Sequence, residues 1–185
     1  MGLPASVHLN VDEYRAWEAQ QPDKHEYVDG EVYAMVGVTR RHAAVAINPV
    51  NLLSTHLRDA PCRVYASDMK LRVEAANAFY YPDVFVTCSA NDHQADEFMS
   101  AAVLIVEVLS PSTAGYDRGD KFAAYRKLSG LREYVLIDPD RKCVERFRRG
   151  ADDIWALHEP GPDQSLTLHS VDLRLAGEDV FRRVD

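Results

Sequence analysis

At 185 residues the chain is long enough for one domain with a sizeable core, and its 46% hydrophobic and 27% charged residues are ordinary for a globular protein. A net charge of −8 argues against a protein held to nucleic acid mainly by a basic surface, although a carboxylate-rich site that a metal would neutralise adds to the same acidity. No apolar run is long enough to span a bilayer and residues 1–10 lack a basic and then apolar signal pattern, so a cytoplasmic location with no membrane partner is expected.

The three cysteines, Cys62, Cys88 and Cys143, are far apart and lack CxxC spacing, which reads as buried or incidental thiols rather than disulfides or a zinc site. The cluster Arg141, Lys142, Arg146, Arg148 and Arg149 reads as the solvated face of a hairpin. No repeat, low-complexity tract or linker divides the chain. One domain over 1–185 is expected, with an N-terminal helix and hairpin over 11–37, a core over about 39–148 and C-terminal strands over 152–185.

Residues 12–20 carry Tyr14, Trp17 and Glu18 at helical spacing. The β-prone runs 25–28 and 31–36 flank Asp29-Gly30, a tight-turn dipeptide, and predict a hairpin. Thr39 can cap a helix reaching about Leu57, with Val45, Leu52, Leu53 and Leu57 on its buried side and a kink or break at Pro49. Segments of β type follow at 62–67 with 69–74, at 79–88 and at 102–109. The last is almost continuously apolar, as a strand buried on both faces must be. A second helix is predicted from Asp117, as N-cap, to Gly130, with Asp120 giving its start the look of a capping box. Residues 133–138 read as another buried strand, 141–147 as a neighbour, and 154–158 and 166–173 as peripheral strands. The resulting class is α/β, a mixed sheet flanked by helices.

Glu107 lies inside this apolar run, where an unpaired carboxylate costs several kcal/mol unless a cation or metal meets it. The serine-rich turn that follows at Ser110 puts it near the carboxyl edge of the sheet, where α/β proteins commonly hold their sites. Asp83, after Pro82, would by itself be strand-entry punctuation, but its strand and that of Glu107 are successive and expected to be neighbours. Two carboxylates on adjacent strands offer the hard oxygen donors that Mg²⁺ or Mn²⁺ takes, and a cation would keep both ionised. Lys121 sits in the first turn of the predicted second helix, where the dipole disfavours a cation. It is either an exposed i,i+4 partner of Asp117 or an amine directed at Glu107, able to orient water or stabilise developing phosphoryl charge.

Pro82-Asp83-Val84, then 106–113 (VEVLSPST), then Asp117, Lys121 and Tyr125, and 133–139 (EYVLIDP) together resemble the Uma-two family of putative restriction endonucleases. The upstream run 25–31 and His42 resemble that family's N-terminal portion, and the likeness extends roughly over 11–147. It implies a restriction-endonuclease-like mixed β-sheet with an αβββαβ core, in which Asp83 and Glu107 bind Mg²⁺ (or Mn²⁺) and a lysine assists attack of water on a phosphodiester. The superfamily pattern places that lysine two residues after the glutamate, where this chain has Leu109. Lys121 is the residue expected to replace it.

Glu26, Glu31, His42 and Tyr125 are secondary candidates for site or substrate contacts. Surface hairpin acids and a capping or core histidine are the ordinary readings of the first three. The leading expectation is a Mg²⁺-dependent endonuclease acting on DNA as a homodimer, by analogy with the fold. The competing one is a catalytically inactive nuclease-fold module that binds nucleic acid or another partner. A zinc hydrolase is disfavoured because no histidine pair has ligand spacing.

Overall fold

The computed structural model describes residues 4–161 and 164–184. Strand β1 (Pro4–His8) leads into α1 (Val11–Glu18). A capping box closes the first turn of α1, the Asn10 side chain accepting from the Glu13 N–H while the Glu13 carboxylate accepts from that of Asn10. The hairpin of β2 (His25–Val28) and β3 (Glu31–Ala34) turns on Asp29 and Gly30, both at positive φ (49° and 98°), which a two-residue turn between twisted strands requires. Helix α2 (Arg40–His56) starts where Thr39 accepts from the His42 N–H. Of the kink or break expected at Pro49, a break does not occur: the helix runs through it with the proline buried.

The next segments divide differently from expectation. The stretches 62–67 and 69–74 become β4 (Arg63–Ala66) and β5 (Lys70–Val73), which join different sheets. Residues 79–88, read as one strand, are β6 (Ala78–Tyr80) and β7 (Val84–Thr87), again in different sheets. Pro82 lies between them, and a residue without an N–H cannot continue a ladder, so the chain changes sheet there. Strands β8 (Phe98–Met99) and β9 (Ala102–Val108) follow.

The predicted second helix is two short ones, α3 (Ala114–Arg118) and α4 (Asp120–Tyr125), separated at Gly119, whose φ of −105° and ψ of −101° lie outside the helical region. Asp117 is therefore inside α3 and Thr113 takes the cap position, so the expected capping role of Asp117 is not found. Strands β10 (Glu133–Asp138), β11 (Cys143–Arg149) and β12 (Trp155–His158) come next. The region 166–173 is not one strand but part of a hairpin of β13 (Leu166–Leu168) and β14 (Leu173–Leu175), followed by α5 (Gly177–Val180).

The main sheet runs β12-β11-β10-β9-β7-β4, and the second runs β1-β3-β2-β6-β5-β8. In the main sheet β9 is parallel to β10 and antiparallel to β7, which is antiparallel to β4. The order α2, β4, β7, β9, α3 with α4, β10 is the αβββαβ core, in a mixed sheet. Side chains alternate across β9. Leu104, Val106 and Val108 enter the apolar cluster of Val45 and Leu53 from α2, while Ile105 and Leu109 enter that of Phe122, Tyr125 and Leu128. Glu107 shares the second face, toward α4.

Cys62 and Cys88 form a disulfide, which overturns their reading as separate thiols. They flank the paired residues Arg63 and Thr87, so the antiparallel register of β4 and β7 brings them face to face. Of the basic residues at 141–149, Arg141, Lys142 and Arg148 are exposed, whereas Arg146 donates to the Thr167 carbonyl, and Arg149 donates to that of Ser129 and stacks over Trp155.

Candidate active site

Asp83 and Glu107 meet because of strand register. Val84 pairs with Val106 across β7 and β9, so the next residues along the antiparallel pair, Asp83 and Glu107, lie opposite each other where the ladder ends. Each acid then accepts from the other strand. The Asp83 N–H donates to Glu107 Oε2 (3.2 Å) and the Val108 N–H donates to Asp83 Oδ2 (2.8 Å). Backbone donors that would otherwise be orphaned at the sheet end are thereby satisfied by the two side chains.

Helix α4 supplies the amine. Lys121 is buried, with Nζ 3.0 Å from Glu107 Oε1, 3.0 Å from Glu26 Oε1 and 3.8 Å from Asp117 Oδ1. One helical turn later Tyr125 donates its hydroxyl to Glu107 Oε1 at 2.9 Å. From α2, His42 Nε2 lies 3.4 Å from Asp83 Oδ2. Glu26 arrives from β2 and also accepts from the Tyr81 N–H (3.4 Å).

Four carboxylates (Glu26, Asp83, Glu107, Asp117) thus surround one lysine and one histidine, nearly all buried. The electrostatic consequences follow. Burial drives the Glu107 carboxyl up to about 8; the Lys121 charge opposes this, while the charges of Asp83, Asp117 and Glu26 add to it. Burial also raises Asp117, against the pull of Lys121 and a hydrogen bond from Thr113. Burial alone would lower Lys121, but Glu107, Glu26 and Asp117 outweigh it and hold the ammonium charged well above its ordinary range. For His42, burial lowers and Asp83 raises through hydrogen bond and charge, and the net direction is up.

The acids and Lys121 form the floor of a cleft of about 550 Å³. Its rim is residues 33–39, the end of β3 and the segment after it, the Ser110–Thr113 turn, and Pro139-Asp140 between β10 and β11. Ser110 Oγ bonds Ser112 Oγ (3.1 Å) and Thr113 Oγ1 (2.9 Å), which shapes that turn.

Of the residues singled out from sequence, Asp83, Glu107, Lys121, Glu26, His42 and Tyr125 converge here. Glu31 does not. It lies on the same face of β3 as Tyr33 but two residues nearer the turn, roughly 7 Å farther along the strand, and is exposed, with its carboxylate accepting from the Tyr33 hydroxyl. Sequence reasoning missed Asp117 as a site acid, although its i,i+4 spacing to Lys121 was the available signal. It also missed Tyr81, which lines the cleft and donates to Glu18 at 2.8 Å.

The donor set bears on a metal. Among the described residues no three His, Cys, Asp or Glu side chains are grouped to hold an ion, so an all-protein cage of the zinc type is not formed. Two opposed carboxylates in a net-negative pocket do fit a Mg²⁺-type cation, which binds one or two protein carboxylates and fills its remaining positions with water and phosphate oxygens.

An αβββαβ mixed sheet with paired acids at the end of its central strands defines the restriction-endonuclease-like class of nuclease folds. The crystal structure of a putative nuclease from Anabaena variabilis has the same fold, with a TM-score of 0.76 and 20% identity over 94% of this chain and 97% of that one. The chain belongs to the Uma2 family, described as putative restriction endonuclease, whose profile matches residues 11–176. Its relatives include two uncharacterized Synechocystis sp. (strain PCC 6803) proteins. One, slr1290, is 34% identical over 94% of this chain and 92% of its own length. The other, sll1609, is 33% identical over 82% and 86%. No helix among the described residues is long and apolar enough to cross a membrane.

Proposed function

We propose that this protein is a divalent-metal-dependent endonuclease, using Mg²⁺ or Mn²⁺ to hydrolyse phosphodiester bonds of DNA. The observation that carries the reading is the Lys121 ammonium 3.0 Å from a glutamate that lies directly opposite an aspartate at the end of two paired strands. The restriction-endonuclease description of the family supports DNA over RNA.

In this reading Asp83 and Glu107 hold the cation. When bound, it supplies Lewis acidity at the phosphoryl oxygen and makes water a better nucleophile at neutral pH. Lys121 points N–H donors into the cleft floor, to orient the attacking water or meet the negative charge that grows on a non-bridging oxygen. Tyr125 fixes Glu107 Oε1, and the Val108 N–H with His42 fixes Asp83 Oδ2, so both acids are held in one orientation before substrate arrives. Cutting both strands of a duplex needs two such sites, which supports a homodimer. A DNA substrate supports a cytoplasmic location, a compartment whose reductants would act against the Cys62–Cys88 bond.

One observation favours a second reading, an inert nuclease-fold binding module: Lys121 already contacts three carboxylates. The test is cleavage of plasmid DNA and of labelled DNA and RNA oligonucleotides in Mg²⁺ or Mn²⁺, with wild type and Glu107→Gln compared. Cleavage by wild type and none by the variant is expected. Equal metal-dependent cleavage by both would sink the site, and no Mg²⁺ or Mn²⁺ binding in calorimetry would turn the choice to the inert module.

A further inference from the structure

We propose that Arg41 is the residue that takes hold of a substrate phosphate, and that the Asp140 carboxylate occupies its guanidinium until that phosphate arrives. The inference rests on the nucleic-acid reading above. Arg41 is the second residue of α2 and Asp140 follows Pro139 in the turn after β10, 99 residues away in sequence. Both line the cleft, and Arg41 Nη1 lies 2.9 Å from Asp140 Oδ1. The ion pair therefore joins two separate parts of the rim. The backbone that carries its carboxylate is held, because Asp138 Oδ1 accepts from the N–H groups of both Asp140 (3.0 Å) and Arg141 (2.9 Å).

Neither stability nor helix energetics accounts for this pair. The side chains are 43% and 60% exposed, and exposed pairs contribute little to folding. The first turn of α2 has no acid but does have Arg40 and Arg41, where the helix dipole disfavours cations. The same end favours an external anion, which an arginine placed there would hold.

Charge balance inside the cleft leads to the same residue. Lys121 is committed to three carboxylates and His42 to Asp83, so the floor presents a phosphate with a net-negative surface. Arg41 is the one arginine among the described residues that line the cleft. A guanidinium accepts carboxylate and phosphate in the same forked geometry, so exchanging one for the other keeps its hydrogen bonds and releases Asp140 to water. The two members of the pair then have opposite effects on binding, which a merely structural ion pair would not produce.

The experiment measures anisotropy of a short fluorescein-labelled DNA duplex with the full chain in Ca²⁺, for wild type, Arg41→Gln and Asp140→Asn, alongside their thermal melts. Arg41→Gln is expected to weaken binding roughly ten- to a hundredfold and to lower the salt slope of log K by about one. Asp140→Asn is expected to tighten binding about two- to fivefold, with melts little changed for either variant. Unchanged affinity in Arg41→Gln, or equal weakening in both variants, overturns the proposal. Cleavage assays separate it from the nuclease reading. The expected binding pattern without any metal-dependent cleavage supports Arg41 and removes the nuclease. Cleavage by Arg41→Gln at wild-type efficiency on sub-saturating DNA does the reverse.

Discussion

Lys121 reaches Glu107 from the helix layer, whereas the superfamily's amine would come from position 109, one residue past the end of β9. Positions 107 and 109 share one face of that strand, and α4 covers this face, so an amine from either source arrives at the same carboxylate. Leu109 is spent on packing instead, at 3% exposure. Because Lys121 is the buried counter-charge to Glu26, Glu107 and Asp117, its removal has two separable effects. Lys121→Met should lower stability by about 3–5 kcal/mol, the usual result of stranding a buried charge, read as a drop in denaturation midpoint. It should also abolish cleavage at temperatures where the variant is still folded. Full cleavage by folded Lys121→Met would remove the amine from the chemistry and leave it a purely structural role.

Individual elements are held by contacts with their own signatures. Arg15 on α1 bonds Glu97 beside β8 at 3.2 Å through Nε, joining the helix to the last strand of the second sheet. A hydrogen bond from Arg15 holds the Glu97 carboxyl below its ordinary range; burial opposes this, and the charges of Arg15 and Lys70 reinforce it. A carboxyl depressed in the folded state stabilises above its unfolded pKa and loses that contribution as pH falls through the folded value. Wild type should therefore melt above Arg15→Gln at neutral pH, with the gap closing below about pH 4. The Cys62–Cys88 bond ties β4 to β7, and its loss should cost about 3–4 kcal/mol under oxidising conditions. Dithiothreitol should lower the wild-type melting temperature and leave a Cys62→Ser/Cys88→Ser variant unmoved; a wild-type melt that ignores reductant would show that the bond is not formed. Helices α1 and α2, the Asp29-Gly30 hairpin and β9 were legible because helical spacing, the Thr39 cap, turn residues and apolar runs are local signals. The disulfide was not, because it depends on the register of two strands. The sheet change at Pro82 was half visible: proline marks an interruption, but not which sheet receives the next strand. Asp117 was misread because an acid at a helix start looks the same in sequence whether it caps or faces a site.

At the scale of the whole molecule, an acidic protein with an acidic cleft has to overcome repulsion before it can hold a polyanion. Affinity for DNA should thus depend on the divalent ion more than on bulk charge. Binding measured in Ca²⁺ should fall by an order of magnitude or more in chelator, roughly the effect of one to two kcal/mol of restored repulsion. Equal affinity in both buffers would place the DNA away from the acids. The mutual clasp of Asp83 and Glu107 has a further consequence, for how relatives are compared. These carboxylates finish the hydrogen bonding of two central strands, so selection for folding alone would keep them after activity was gone. A relative's possession of both acids is then weak testimony of catalysis. The residues that discriminate living enzymes from retired ones are those the sheet can do without.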